Sequence, residues 1–397
     1  MISRRQAMNG AAALVLAMTA GLGVAEAQNK TLKIGVLGVM SGPAASWGLV
    51  NRYSAEARAN TINAAGGFDI GGETYDIEIV SVDDRNDPKV AISGAERLIH
   101  EEGVRYIIGP NIDTTAMAIV PVIEEGKAMN VPYAFSRELY EPPRENSILG
   151  MIASYQAGPV IYGHLMDTEG VENIAFVARN ESDALNQRAE GVAAAEDLGL
   201  EVTSTGTYEP GTTDFFPILG GIIGGNPDLV VLSGVAPADA PLLIKSLREL
   251  GYGGLISTET AQDAKVLREV AGDAANGFIS VGGASTAEIR SPQMESFMEA
   301  YEEVAGEWND EAGTKVYALD MILDTIAAAG PEAIDDIEVF KATMDEFKTK
   351  NPWLKGNPEV GYVGESFFGQ KRQLPIPMVV NVYQDGDFET LFVGTVD

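Results

Sequence analysis

The sequence predicts an α/β protein built as two doubly wound, Rossmann-like lobes with mainly parallel sheets. Three observations carry this. Short apolar runs alternate with segments of helical period along most of the chain, and they do so in two successive series. The loops after the apolar runs are rich in Gly, Pro and Asp, as strand-to-helix turns are. The length, 397 residues at 45% apolar and 21% charged, is enough to bury two medium-sized cores.

Taken in order, residues 32–39 ("LKIGVLGV") read as a strand and 47–64 as a helix. Residues 75–82 alternate apolar and polar positions, the mark of a second strand. In "DDRNDPKVAISGAERLIHEEG", Asp87 suits an N-cap and Pro88 the first helical position. A strand at 106–109, a helix over about 114–127 and a strand at 131–135 complete the first series. The second begins near Met151, with a strand at 173–178, a helix at 183–198 and a strand at 201–207. A helix near 215–223 follows, capped by Thr213 or Asp214, and "GGIIGG" (220–225) reads as its termination rather than a phosphate cradle. "DLVVLSG", "GGLISTE" and "GFISVGG" are three further strands. Helices are expected near 292–303, 316–328 and 337–348, and short strands in the tail. In such sheets ligands sit beyond the carboxyl ends of the strands, so the loops after Val39, Gly109, Phe135, Ala178, Ser233 and Glu259 are the candidate site.

The first 27 residues stand apart. Arg4 and Arg5 precede a short apolar run, 11–25, and an A-x-A site at 25–27. That pattern is a secretory signal with cleavage expected near Ala27 and a periplasmic product. "SRRQAM" approaches a twin-arginine motif but has Ala7 and Asn9 where Phe and Lys are usual, so both export routes stay open. No Cys is present, which leaves no lipidated cysteine, disulfide or thiolate metal site, and no membrane anchor is expected. The net charge of −31 repels nucleic acid and anionic lipid.

A search for catalytic chemistry finds little. His100 and His164 are the only histidines, and neither sits in a ligand or triad pattern. The glycines at 35, 38 and 42 do not match G-x-G-x-x-G, and there is no Walker loop or G-x-S-x-G elbow. No enzyme activity and no cofactor are expected.

The ordered set "KIGVLGVMSGPAASWG", "INAAGG", "DDRNDP", "YIIGP" and "VPYAF" resembles the leucine/isoleucine/valine-binding group of type I periplasmic binding proteins. "YEPGTTDF", "NPDLVVLSG" and the stretch 317–320 extend the resemblance over nearly the whole chain. It implies two lobes joined by a three-strand hinge with the ligand cleft between them: 30–152 plus 283–351, and 153–282 plus 352–397. It also implies a monomer that captures a small solute, an amino acid or another carboxylate or amide, and delivers it to an inner-membrane ABC permease. Presentation of the closed form to a signalling receptor is the alternative use.

Family pocket positions carry over one at a time. Trp47 stands at the aromatic position of the first loop. After "IGP" the family's carboxylate-binding hydroxyl falls on Asp113, or on Thr114 with a one-residue shift; Asp113 otherwise caps the next helix. Ser136 and Arg137 occupy the next loop, where Arg137 is a departure that would bind a carboxylate or pair with Asp113. Glu259 stands where amino-acid binders hold the ligand ammonium, or else caps the following helix. Tyr155, Ser182, Asp183, Leu232 and Tyr317 fall at other cleft-facing positions, with room for an aromatic acid beside Trp47 and Tyr317.

Overall fold

The computed structural model describes residues 29–394, so the expected signal at 1–27 lies outside the described residues. The first sheet is built from β1 (Lys30–Gly38), β2 (Phe68–Ile70), β3 (Glu73–Asp83), β4 (Tyr106–Ile108) and β5 (Met129–Val131) in the order β2-β3-β1-β4-β5. The pairs β1–β3, β1–β4 and β4–β5 are parallel, and only the β2–β3 hairpin is antiparallel. Between the strands run α1 (Ala45–Ala64), α2 (Pro88–Glu96) and α3 (Asp113–Glu125). Parallel strands need covered faces, and β1 meets this with a continuous buried run from Ile34 to Gly38, glycines included.

The second sheet collects α4 (Ser154–Glu169), β6 (Asn173–Arg179), α5 (Ser182–Asp197), β7 (Glu201–Tyr208), α6 (Phe216–Ile223), β8 (Leu229–Ser233), α7 (Ala240–Glu249), β9 (Leu255–Ser257), α8 (Ala264–Val270) and β10 (Phe278–Gly282). The chain then returns to the first lobe with α9 (Pro292–Ala305), α10 (Ala312–Ala329) and α11 (Ile337–Met344). A small antiparallel pair, β11 (Thr349–Lys350) and β12 (Glu359–Val360), precedes α12 (Glu365–Phe368). The antiparallel strands β13 (Met378–Gln384) and β14 (Asp387–Gly394) close the second sheet as β14-β13-β10-β9-β8-β6-β7. No helix among the described residues is long and apolar enough to cross a membrane.

Local signals explain most element ends. The Asp87 side chain accepts from the main chain of Lys89 (2.8 Å) and Val90 (3.3 Å), with Pro88 leading α2. Asp87→Ala is expected to cost about 1 kcal/mol in chemical denaturation, the usual worth of such a cap. The N-cap of α6 is Phe215 rather than Thr213 or Asp214, with no side-chain cap, although the Asp214 side chain accepts from Phe216 N at 3.1 Å; α6 ends before the glycines at 224 and 225. Three boundaries differ from expectation. The strand placed at 131–135 is β5, Met129–Val131, because the next four residues bend into the interlobe loop. The helix placed at 316–328 begins at Ala312, with Glu311 as its N-cap. The helix placed at 337–348 ends at Met344.

Core membership locates the crossings between lobes. Met151 belongs to the first core and Ile152 to the second. Val281 belongs to the second and Ala284 to the first. Trp353, Tyr362, Phe368, Leu374 and Ile376 still pack in the first core, and Met378 is the first residue back in the second. The third crossing therefore falls after Ile376, later in the chain than residue 352, because the aromatic run around α12 packs on Tyr140 and Tyr155. The first and third crossings run side by side: Leu149 N donates to Arg372 O and Leu374 N to Leu149 O, at 2.8 and 2.9 Å. Buried Gln156 and Gln373 tie them together at 2.9 Å, and Gln373 also reaches Met151 O.

Candidate functional site

The carboxyl ends of β1, β4 and β5 face the carboxyl ends of β6 and β9 across a small cavity of about 30 Å³. That is far below the roughly 300–1,000 Å³ usual for small-molecule sites, so a bound solute needs the lobes further apart than they stand here. The first lobe lines it with Trp47, Asn111, Asp113, Tyr133, Phe135, Glu311 and Lys315; Asp183, Gln187, Thr260 and Ala261 come from the second. Met151 lies at the crossing.

Each position follows from local structure. Gly48 lets α1 come so close to the end of β1 that a Cβ there would lie 2.0 Å from Val39 O. This close approach sets Trp47 over the strand ends, where it packs with Val39, Ala44, Ile112 and Ala236 of the other lobe. Its Nε1 donates to Ala261 O at 3.3 Å, and neighbouring Ser46 Oγ donates to Asp263 at 2.6 Å, so the first turn of α1 touches the second lobe. Asn111 Nδ2 holds Trp47 O at 3.1 Å.

Asp113 is the first residue of α3, with Ile112 as the N-cap. Its carboxylate accepts from Phe135 N (2.6 Å) and Ser136 N (3.2 Å), pinning the loop after β5. Burial pushes its pKa up to about 6, Asp183 adds to the rise, and the two N–H bonds oppose it. Asp183 and Gln187 lie one turn apart on α5. Arg179 Nη2 donates to Asp183 Oδ2 at 2.9 Å, while Nε donates to Glu181 and Nη1 to Gly234 O. Burial raises the Asp183 pKa, and Arg179 opposes the rise. At the far wall, Lys315 Nζ sits 2.6 Å from Glu311 and 3.7 Å from the centre of the Tyr133 ring, both charges buried. Burial lowers the Lys315 pKa against the pull of Glu311.

Of the residues singled out in the sequence, the structure brings Trp47, Asp113 and Asp183 together on the cavity. Thr114 and Ser182 are exposed, each beside a buried acid at a helix start. Ser136 contributes its main-chain N–H to Asp113. Arg137 does not pair with Asp113: it lies 4.0 Å from the centre of the Tyr155 ring and 3.8 Å from Glu190, a rim bridge between the lobes. Tyr155 packs beside the hinge against Phe367 and Phe368.

Three placements correct expectation outright. Leu232 is wholly buried in the core of the second lobe, because the strand alternation turns it away from the cleft. Tyr317 is buried in the first core, its hydroxyl bonded to Asn351 at 3.2 Å. Glu259 does not line the cavity: Tyr162 donates to its carboxyl beside Phe176 and Gly191, and the following helix is capped by Asp263 instead. The residues that sequence reasoning missed are Asn111, Tyr133, Ala134, Phe135, Met151, Gln187, Thr260, Ala261, Glu311 and Lys315. Tyr133 and Phe135 stood in "VPYAF", and Glu311 and Lys315 are an acid and a base four residues apart, a signal legible only once the helix is started early enough.

Comparison with known proteins agrees with this architecture. The profile of the periplasmic binding protein family matches residues 31–382. The Leu/Ile/Val-binding protein of Escherichia coli K12 is 24% identical over 316 residues, covering 78% of this chain and 82% of that one. The leucine-specific-binding protein of Salmonella typhimurium is 26% identical over 258 residues, covering 62% and 66%. Among solved structures, LivJ from Streptococcus pneumoniae in complex with isoleucine superposes with a TM-score of 0.79 at 20% identity, covering 92% of this chain and 99% of that one. A Rhodopseudomonas palustris ABC-transporter solute-binding protein in complex with 4-hydroxybenzoate gives 0.76 at 20% identity, covering 92% and 98%. With the family profile running from the first strand of one lobe into β13 of the other, the chain belongs to the periplasmic binding protein family.

Proposed function

We propose that this protein captures one small polar organic solute between its lobes and presents the closed form to an inner-membrane ABC permease. The supporting observation is the interlobe cavity, roofed by Trp47 and walled by both lobes with aromatic faces and a few buried polar groups. Such a site holds a ligand only while the lobes are together, so binding and closure are one equilibrium. The neighbours bound to isoleucine and to 4-hydroxybenzoate show that the same fold serves different ligand classes.

A thermal-shift screen of amino acids, amines, aromatic acids and amides tests the reading. A ligand at a hundred times its Kd stabilises by about 2.7 kcal/mol. Trp47→Ala is expected to weaken a hit by about 2 kcal/mol, from loss of the buried ring face. Calorimetric titration checks this, and an unchanged Kd would place the solute elsewhere.

A further inference from the structure

We propose that the solute is a protonated amine with an apolar or aromatic body and no carboxylate; this rests on reading the interlobe cavity as the capture site. Charge is the first ground. Asp113, Asp183 and Glu311 line the cavity against a single cation, Lys315, and Lys315 is held by Glu311 at 2.6 Å. Arg179 backs Asp183 but also bonds Glu181 and Gly234 O, so it has little left for a ligand. Asp113 has no ion-pair partner among the described residues and is met by two main-chain N–H groups alone.

Unused acceptors are the second ground, independent of net charge. Gln187 is buried and its Oε1 has no hydrogen-bond partner. Asp183 is buried, and its Oδ1 makes no hydrogen bond of normal geometry; the nearby amides of 183 and 184 only temper its charge. Both residues stand on the same face of α5, where it lines the cavity. Buried acceptors without donors are costly, and an ammonium brings three donors and one positive charge.

A ligand carboxylate has no matching place. The start of α3, the natural anion site of the first lobe, already carries the Asp113 carboxylate, and that carboxylate has taken the N–H groups of Phe135 and Ser136. Arg137 faces Glu190 and Tyr155 instead. Trp47, Tyr133, Phe135 and Met151 offer the apolar walls for the body, and the ring faces add attraction for a cation.

The test uses shape-matched probes on the purified protein at pH 7.5: phenethylamine, 3-phenylpropanoate and phenylalanine, with isopentylamine, 4-methylpentanoate and leucine as the aliphatic set. The amines are expected to raise Tm and to titrate calorimetrically, with the acids and amino acids at least about tenfold weaker. Asp183→Asn should weaken the best amine by about tenfold to a hundredfold, and Thr114→Ala, at an exposed position, should not change it. Tighter binding of the acids or amino acids overturns the ligand class and leaves capture in the cleft standing. If no probe of any charge type shifts Tm, capture in this cavity falls and the ligand class with it. The wild-type comparison decides the matter even where a variant fails to fold.

Discussion

Lys315→Met is expected to destabilise the protein by about 3–5 kcal/mol, the usual cost of stranding one partner of a buried ion pair. Lys315 and Glu311 are both buried, 2.6 Å apart on the first turn of α10. Met keeps most of the volume and apolar stem, so packing changes little and the lost charge dominates. Glu311 would then face Tyr133 with no cation, in a cavity that also holds Asp113 and Asp183. Adding Glu311→Gln to the same chain should recover most of the loss, because a neutral amide needs hydrogen bonds but no counter-charge. Urea denaturation of the wild type, both singles and the double mutant measures this as a cycle. If Lys315→Met costs under about 1 kcal/mol, the pair is solvated and the far wall is not dry.

The same pair shows where sequence reasoning stops. Alternating apolar runs and their turns are local facts, so the two series of strand-helix units, the Asp87 cap and the glycine stop after α6 were all legible. The cleft floor is not local. Whether Asp113 or Thr114 faces inward depends on one residue of helical phase, and the structure resolves it because Asp113 ties down the main chain of Phe135 and Ser136, more than twenty residues away. Arg137 and Glu190 meet only across the closed lobes, so the ion pair could not be inferred from either segment. Leu232 and Tyr317 stand at cleft positions of the family pattern, but pleat and helix phase turn both into cores. Glu259 is the clearest case. Family position assigns this acid to the ligand, and the structure gives it Tyr162 as its partner.

That partner leads to a pH prediction: the ligand-free protein should be more stable near pH 5 than at pH 8, and Glu259→Gln should remove much of the difference. Glu259 is fully enclosed, its Oε1 bonded by Tyr162, while its Oε2 makes no hydrogen bond of normal geometry and the nearby Ser233 hydroxyl only tempers its charge. Burial pushes its pKa up to about 7, against a model-peptide value of 4.5. The folded protein therefore keeps a proton that the unfolded chain has released between those two values. Stability falls as pH rises through that window and stays low above it. The difference corresponds to about 3 kcal/mol at pH 8, an upper figure since relaxation around the charge reduces it. Below pH 4.5 this group contributes nothing, both states being protonated. Asp113, Asp84, Asp310 and Asp324, each raised to about 6 chiefly by burial, act in the same direction over a slightly lower range. Gln at 259 keeps an acceptor for Tyr162 and adds no charge, so the variant should match the wild type near pH 4.5 and exceed it at pH 8. Melting curves of both proteins from pH 4.5 to 8 measure the effect. Parallel curves across that range would mean that the Glu259 carboxylate is solvated in the native state, and that α4 and α5 open to water beside it.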